Sequence, residues 1–224
     1  MKYCAQYRPS DLPAEFKNSN QRVLKVKRGA GLWLWKPYII LDTLSKLSAG
    51  DAVIYCDSGA IVRKDLNPLV DTCRNQTEGI LGFDVADGCL ERQWTKRSAF
   101  VMTGCDTAQY WDSNQIRTGT IVAVKCKESD AFLKNWMKWI SNYALSSDAF
   151  IPTEKDEFDD FDGHRHDQSL FSLLYKKHGY KSYEDLTGYS INDFIESHVR
   201  PEPSIWKLLP TFFEPSLFFR QPRF

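Results

Sequence analysis

Short apolar runs alternate along the chain with segments whose apolar residues recur at helical spacing. The short runs are rich in aliphatic and aromatic residues, which predicts buried strands. They lie at residues 2–7, 51–57, 79–83 and 115–126. Apolar residues that recur every three or four positions predict helices over residues 37–47, 65–74, 130–145 and 167–178, with two shorter helices within 95–113.

Strands that alternate with helices predict an α/β layer fold. The chain has 224 residues, 42% of them hydrophobic, which suits one domain with a sizeable core. We assign residues 1–200 to this domain. Residues 201–224 are aromatic and interrupted by proline. We expect them to pack as a tail on the domain, and the alternative is a segment that binds a partner or covers an acceptor.

Composition removes several functional classes. Lys plus Arg and Asp plus Glu both total 29, so no basic excess indicates nucleic acid as a partner. No apolar run is long enough for a membrane span or a signal peptide, so we expect a cytoplasmic protein. The six cysteines form no Cys-x-x-Cys pair, which favours free thiols over a zinc site or a disulfide scaffold.

The strand that ends at Asp57 delivers a carboxylate into a turn, because Ser58 and Gly59 follow it. Ligands of open α/β sheets bind at the carboxyl ends of strands. A carboxylate placed there can hold a divalent cation that bridges the phosphates of a nucleotide. The alternative is an aspartate that only caps the turn.

A glycine-rich turn, Gly29-Ala-Gly31, precedes Trp35 and Lys36 at the start of a helix. Glycines let the backbone approach a ligand, and a helix N-terminus favours anions. Lys36 adds a cation suited to phosphate. The alternative is a structural turn with its tryptophans in the core and Lys36 in solvent.

Titratable residues are dense just before the last predicted helix, where His164, Arg165, His166 and Asp167 follow one another. Either histidine could complete a metal shell, and Asp167 could act as a general base or stabilise a developing cation. Alternatively, Asp167 caps the helix and pairs with Arg165. The acidic segment 156–162 lacks the ligand spacing of an EF-hand, so we interpret it as a solvated loop.

Taken together, four motifs resemble the nucleotide-diphospho-sugar transferases with the GT-A glycosyltransferase fold. In chain order they are RGAGLWLWKPYII (28–40), GDAVIYCDSG (50–59), QIRTGT (115–120) and HRHDQSL (164–170). The resemblance covers roughly residues 25–180 and depends on the order and spacing of the motifs. It implies a GT-A-like, Rossmann-related domain with a mixed, mostly parallel sheet flanked by helices.

The resemblance also implies an activity. The donor would be a nucleotide-diphosphate sugar with Mn²⁺ or Mg²⁺ on its diphosphate, and the acceptor a hydroxyl of a carbohydrate, a lipid-linked molecule or a protein. Asp57 would bind the metal, with His164 and His166 as further candidate ligands. Gly29, Gly31, Trp35, Lys36, Asp57 and Ser58 would form the donor site. Asp167 would be the catalytic residue on the acceptor side.

Two departures from the family's pattern define the alternatives. Gly59 stands where the second acid of the Asp-x-Asp motif would be, and only 28 residues precede Gly29. We therefore expect either that the chain starts late relative to the family or that its first strand–helix unit is reduced. These departures favour a second hypothesis, a weakly active or inactive relative that binds a nucleotide sugar or a protein. A third hypothesis, metal-dependent hydrolysis of a phosphate ester, needs more clustered acids than the sequence contains.

Overall fold

The computed structural model describes residues 4–85, 88–153 and 155–196, and the backbone of residues 217–220. Its strands are β1 (Cys4–Tyr7), β2 (Ala52–Cys56), β3 (Ile61–Val62), β4 (Ile80–Asp84), β5 (Ile116–Val124), β6 (Ile195–Glu196) and β7 (Leu217–Arg220). The predicted strands are confirmed where they fall on described residues. The tail predicted over 201–224 lies outside the described residues apart from β7.

The helices of the first half are α1 (Ala14–Ser19), α2 (Gln21–Leu24), α3 (Gly29–Leu32), α4 (Trp35–Ser45), α5 (Asn67–Arg74) and α6 (Glu91–Trp94). Those of the second half are α7 (Arg97–Thr103), α8 (Ala108–Trp111), α9 (Lys127–Ser141), α10 (Tyr143–Ser146), α11 (Asp167–Lys177) and α12 (Tyr183–Thr187). The helix predicted over 130–145 is divided at Asn142, whose side chain accepts a hydrogen bond from the Ala144 amide and starts α10.

The main sheet has the order β1-β7-β2-β5-β4. Every pair of neighbouring strands in it is antiparallel, so the predicted mostly parallel sheet is wrong. This pairing makes β1, β2 and β4 run in one direction, but a reversed strand separates each from the next. β5 lies between β2 and β4 and is antiparallel to both. The local sequence pattern therefore predicted the position of this strand in the chain but not its direction in the sheet.

Helices cover both faces of this sheet. Val53 and Tyr55 of β2 pack in one apolar cluster with residues of α4, α9 and α11, whereas Ile54 packs in a second cluster with residues of α5. Side chains of a strand alternate between its two faces, so the two clusters are the two sides of the sheet. The α/β layer prediction is therefore confirmed as a mixed fold with an antiparallel sheet.

Two further findings concern the cysteines and the helices. All six cysteines are free thiols. Within the described ranges, no helix combines the length and the apolar character that crossing a membrane requires.

Candidate functional site

Three residues singled out in the sequence meet in one ion cluster. The Nζ atom of Lys36 lies 2.8 Å from Oδ2 of Asp167 and 3.6 Å from Oδ1 of Asp57. The side chains of Lys36 and Asp167 are only 3% and 6% exposed, whereas that of Asp57 is 43% exposed. The cluster therefore has a buried ion pair and one carboxylate that faces solvent.

The fold brings these residues together from separate elements. Lys36 lies in the first turn of α4, Asp57 follows the last residue of β2, and Asp167 is the first residue of α11. The indole Nε1 of Trp136 donates a hydrogen bond of 3.0 Å to the Asp167 carbonyl, which fixes the start of α11. Three segments far apart in sequence thus place their charged groups at the carboxyl end of β2, the central strand of the sheet.

Strand β5 supplies two site residues that the sequence analysis missed. Thr118 Oγ1 donates a 2.9 Å hydrogen bond to Asp167 Oδ2, and Lys36 Nζ donates to the Thr118 carbonyl at 3.3 Å. The Gly119 carbonyl accepts a 2.9 Å hydrogen bond from the Asp57 amide. A Cβ atom at Gly119 would lie 3.2 Å from Asp57 Oδ2. A glycine inside a strand pattern indicates such a close approach, and that signal was present in the sequence.

Tyr55 holds the partly exposed carboxylate of Asp57 in place from the buried side. Its hydroxyl donates a hydrogen bond to Oδ1 of Asp57, and the Tyr55 side chain is completely buried. Burial, together with the negative charge of Asp57, raises the pKa of Tyr55 well above its ordinary value. Tyr55 therefore remains a protonated donor, which holds Asp57 in one orientation.

Burial and charge act in opposite directions on the central pair. Burial lowers the pKa of Lys36, but the charges of Asp167 and Asp57 outweigh it, so the pKa lies above its ordinary value. Burial raises the pKa of Asp167, and the positive charge of Lys36 opposes this only in part. Lys36 therefore stays an ammonium ion, and Asp167 is a stronger proton acceptor than an exposed aspartate.

The segment assigned as α3 is the predicted glycine turn, and its backbone is left-handed and not α-helical. Its φ angles are positive from Gly29 to Trp33, including 48° at Ala30 and 98° at Gly31. The Gly31 amide donates a 2.8 Å hydrogen bond to the Val26 carbonyl. This amide is therefore not free to bind a phosphate, in contrast to the role predicted for the turn. The Gly29 carbonyl accepts a 3.0 Å hydrogen bond from Trp35 Nε1. The two glycines shape the turn that leads into α4.

Trp35 and Ser58 are the sequence neighbours of Lys36 and Asp57, and they differ in burial. Trp35 is buried and lines a small apolar pocket with Tyr7 and Ile39. Side chains of consecutive helical residues point about 100° apart, so Trp35 lines the apolar pocket while Lys36 contacts the carboxylates of the ion cluster. Ser58 is exposed in the turn after Asp57, which the Ala60 amide closes by donating to the Asp57 carbonyl at 2.9 Å.

The two predicted histidine ligands face backbone groups. His164 Nε2 contacts the Leu145 carbonyl at 2.9 Å, while its Nδ1 accepts a 3.4 Å hydrogen bond from the Lys96 amide. Both ring nitrogens are thus used, and burial beside Lys96 lowers the pKa of His164 well below its ordinary value. His166 Nδ1 contacts the Ser146 carbonyl at 2.7 Å. These contacts leave His164 no lone pair for a metal, which contradicts that part of the prediction.

The ion cluster offers one partly exposed carboxylate, Asp57, to a divalent cation. No group of three or more histidine, cysteine or acidic side chains is placed to hold a metal within the part of the chain that the structure describes. The one half-exposed carboxylate, Asp57, fits a Mg²⁺ or Mn²⁺ ion of the type bound mainly through substrate phosphates.

Comparison with known proteins adds no assignment, because no family model, curated protein or solved structure matches the chain.

Proposed function

We propose that the chain is a GT-A-like glycosyltransferase that transfers a sugar from a nucleotide-diphosphate sugar to an acceptor hydroxyl. The observation that supports this most is the placement of Lys36, Asp57 and Asp167 in one cluster at the end of β2. The four motifs of the resemblance contribute residues to this cluster: Lys36, Asp57, Thr118 and Asp167. Motifs far apart in sequence share one site, as a common chemistry requires.

In this proposal the donor's diphosphate lies on the exposed side of Asp57, and the buried Lys36 ammonium lies 3.6 Å behind that carboxylate. The ammonium group of Lys36 stabilises negative charge as the nucleoside diphosphate leaves, which is a main task in lowering the barrier. A divalent cation held by Asp57 and the phosphates would neutralise further charge there. Tyr55 and Gly119 keep the Asp57 carboxylate in place and leave its open side accessible.

Asp167 acts on the acceptor. In an inverting reaction the acceptor oxygen forms a bond to the anomeric carbon while the bond from that carbon to the diphosphate oxygen breaks. The diphosphate leaves with the bonding electron pair, and Asp167 takes the proton of the acceptor hydroxyl. Thr118 and Lys36 hold Asp167 through its Oδ2 atom. In a retaining reaction Asp167 would instead stabilise an oxocarbenium-like state.

The test is release of nucleoside diphosphate from a panel of UDP-, GDP-, ADP- and dTDP-sugars. We expect turnover of one donor class by the wild-type chain and at least a hundredfold loss in Asp57→Asn and in Asp167→Asn. Asp71→Asn is the matched control, because Asp71 is an exposed carboxylate on α5 that pairs with Arg74. Undiminished turnover in Asp57→Asn would contradict the proposal.

The same cluster supports a second candidate, a relative that binds without catalysis. Lys36 already balances the buried carboxylate, so the ion pair is stable in itself as a structural feature. Nucleotide binding without release of diphosphate, with every donor and a broad set of acceptors, would favour this second function.

A further inference from the structure

A groove of about 410 Å³ opens beside the segment that leads into Asp167. This volume is within the range of small-molecule sites. Its lining includes Lys96, Asp148, Phe150, Lys155, Asp156 and His164. His164 and Asp167 are three residues apart, so their Cα atoms lie within about 11 Å of one another.

The positive charges of the groove are turned toward the protein. Lys96 Nζ donates to the carbonyls of Ala144 at 2.6 Å and Ser147 at 2.7 Å. Lys155 Nζ pairs with the carboxylate of Asp106, which lies outside the groove lining. Both ammonium groups are thus engaged by the chain, so the groove presents little free positive charge to an anionic ligand.

The negative charges are turned outward. The Asp148 side chain is 60% exposed, and its pairing with Arg28 is loose, at 3.8 Å. Asp156 is exposed as well. Carboxylates accept hydrogen bonds, so the open side of the groove suits a ligand that donates them, as hydroxyl groups do.

An aromatic ring completes this surface. Phe150 lines the groove and is 87% exposed, the largest exposure among the large hydrophobic residues that the structure describes. An exposed ring beside hydrogen-bond acceptors matches a sugar, whose C–H face packs on aromatic carbon while its hydroxyls donate.

A buried histidine lies beside Asp148, which lines the groove. His166 is 1% exposed, and the contact of Nδ1 with the Ser146 carbonyl makes Nδ1 the donor and Nε2 the acceptor of the neutral ring. Nε2 has no hydrogen-bond partner among the described residues and lies 3.8 Å from Oδ2 of Asp148. Two acceptors therefore lie 3.8 Å apart on the inner side of Asp148, and a donating group placed beside that carboxylate would satisfy both.

We propose that this groove binds the acceptor and that the acceptor is a neutral oligosaccharide. One sugar ring packs on Phe150, and hydroxyls donate to Asp148 and Asp156. This assignment rests on the proposed transferase function and specifies its acceptor.

The test is saturation-transfer NMR with maltotriose, cellotriose and triacetylchitotriose. Wild-type protein, Phe150→Ala and Tyr189→Ala are compared, because Tyr189 is a 66% exposed aromatic residue outside the groove lining. We expect saturation of at least one trisaccharide, a dissociation constant about five- to tenfold weaker in Phe150→Ala, and no change in Tyr189→Ala. No saturation of any trisaccharide, or an unchanged constant in Phe150→Ala, would overturn the assignment.

Nucleotide binding by the same preparations separates this inference from the proposed function. Nucleotide binding without trisaccharide binding would overturn the groove assignment alone. Phe150-dependent trisaccharide binding without binding of any nucleotide would overturn the transferase and support the groove as a saccharide site.

Discussion

Lys36 Nζ and Asp167 Oδ2 form a 2.8 Å ion pair between side chains that are both almost completely buried. Burying two charges costs solvation energy, which this contact and the hydrogen bond from Thr118 offset. Because Asp57 adds a second carboxylate at 3.6 Å, the cluster has one ammonium for two carboxylates. Its stability and its chemistry therefore depend on the same lysine.

Lys36→Met should destabilise the protein by about 3–5 kcal/mol, because it leaves the buried Asp167 without its partner. Adding Asp167→Leu to this variant should restore part of the loss, with a coupling energy of about 1–3 kcal/mol. Urea unfolding of both single variants and the double variant measures this coupling. Strictly additive effects would show that the two side chains do not stabilise each other.

Gly119→Ala should weaken nucleotide binding, because its Cβ would lie 3.2 Å from Oδ2 of Asp57. The folding cost should be about 1 kcal/mol or less, since Gly119 needs no unusual backbone conformation and alanine is tolerated in strands. Gly82→Ala is the comparison, because its Cβ would lie 2.6 Å from a methyl carbon of Ile116. That variant should lose stability and keep its nucleotide affinity. The opposite pattern, measured by calorimetric titration and urea unfolding, would place the ligand elsewhere.

The glycine turn should be intolerant of a side chain at Gly31. Its φ of 98° is unfavourable for alanine, and the new Cβ would lie 2.8 Å from the Leu24 Cα atom. Gly31→Ala should therefore cost about 2–3 kcal/mol. Gly50→Ala is the matched control, because Gly50 has a φ of 83° and no atom within 4 Å of the added carbon. Equal losses of unfolding free energy in the two variants would rule out the clash with Leu24.

Stability should fall as the pH rises from about 4 to about 6, because Asp84 titrates in this window. Burial, with the charge of Glu184 nearby, raises the pKa of Asp84 from 3.8 to about 6. The folded state then binds more protons than the unfolded state within the window, and the cost is complete above it. Since Asp84 is partly exposed, we expect about 1 kcal/mol.

Asp84→Asn should remove this dependence and stabilise the protein at pH 7 but not at pH 4. Asparagine keeps an oxygen that can accept the hydrogen bond that Ser182 donates to Asp84 Oδ2 at 3.1 Å. Unfolding free energies across this range measure the change. A pH dependence identical to that of the wild-type chain would show that Asp84 is not responsible.

Local sequence patterns predicted the elements that carry the site. The strand before Asp57 and the helix that begins at Asp167 both follow from apolar spacing and from the residues that bound them. The direction of β5 did not follow, because strand pairing is decided by contacts between distant segments. The role of Thr118 was missed for the same reason, whereas Gly119 carried a local signal, a glycine inside a strand pattern, that the sequence analysis did not use.

The histidines show a second limit of sequence reasoning. A dense group of titratable residues predicted metal ligands, but His164 Nε2 contacts the Leu145 carbonyl and His166 Nδ1 contacts the Ser146 carbonyl. Whether an imidazole binds a metal or a carbonyl depends on what the fold places opposite it. That neighbour is twenty residues away in sequence for His166, and no local pattern indicates it.

The most direct measurement of the central claim is thermal unfolding with UDP, GDP, ADP and dTDP, with and without Mn²⁺. Wild-type, Asp57→Asn and Asp71→Asn chains would be compared. At a hundredfold excess over its dissociation constant a nucleotide stabilises by about 2.7 kcal/mol, or about 5–10 °C for a chain of this size. We predict such a Mn²⁺-dependent shift with one nucleotide, retained in Asp71→Asn and lost in Asp57→Asn. An equal shift in Asp57→Asn, or none with any nucleotide, would contradict the donor site at Lys36 and Asp57.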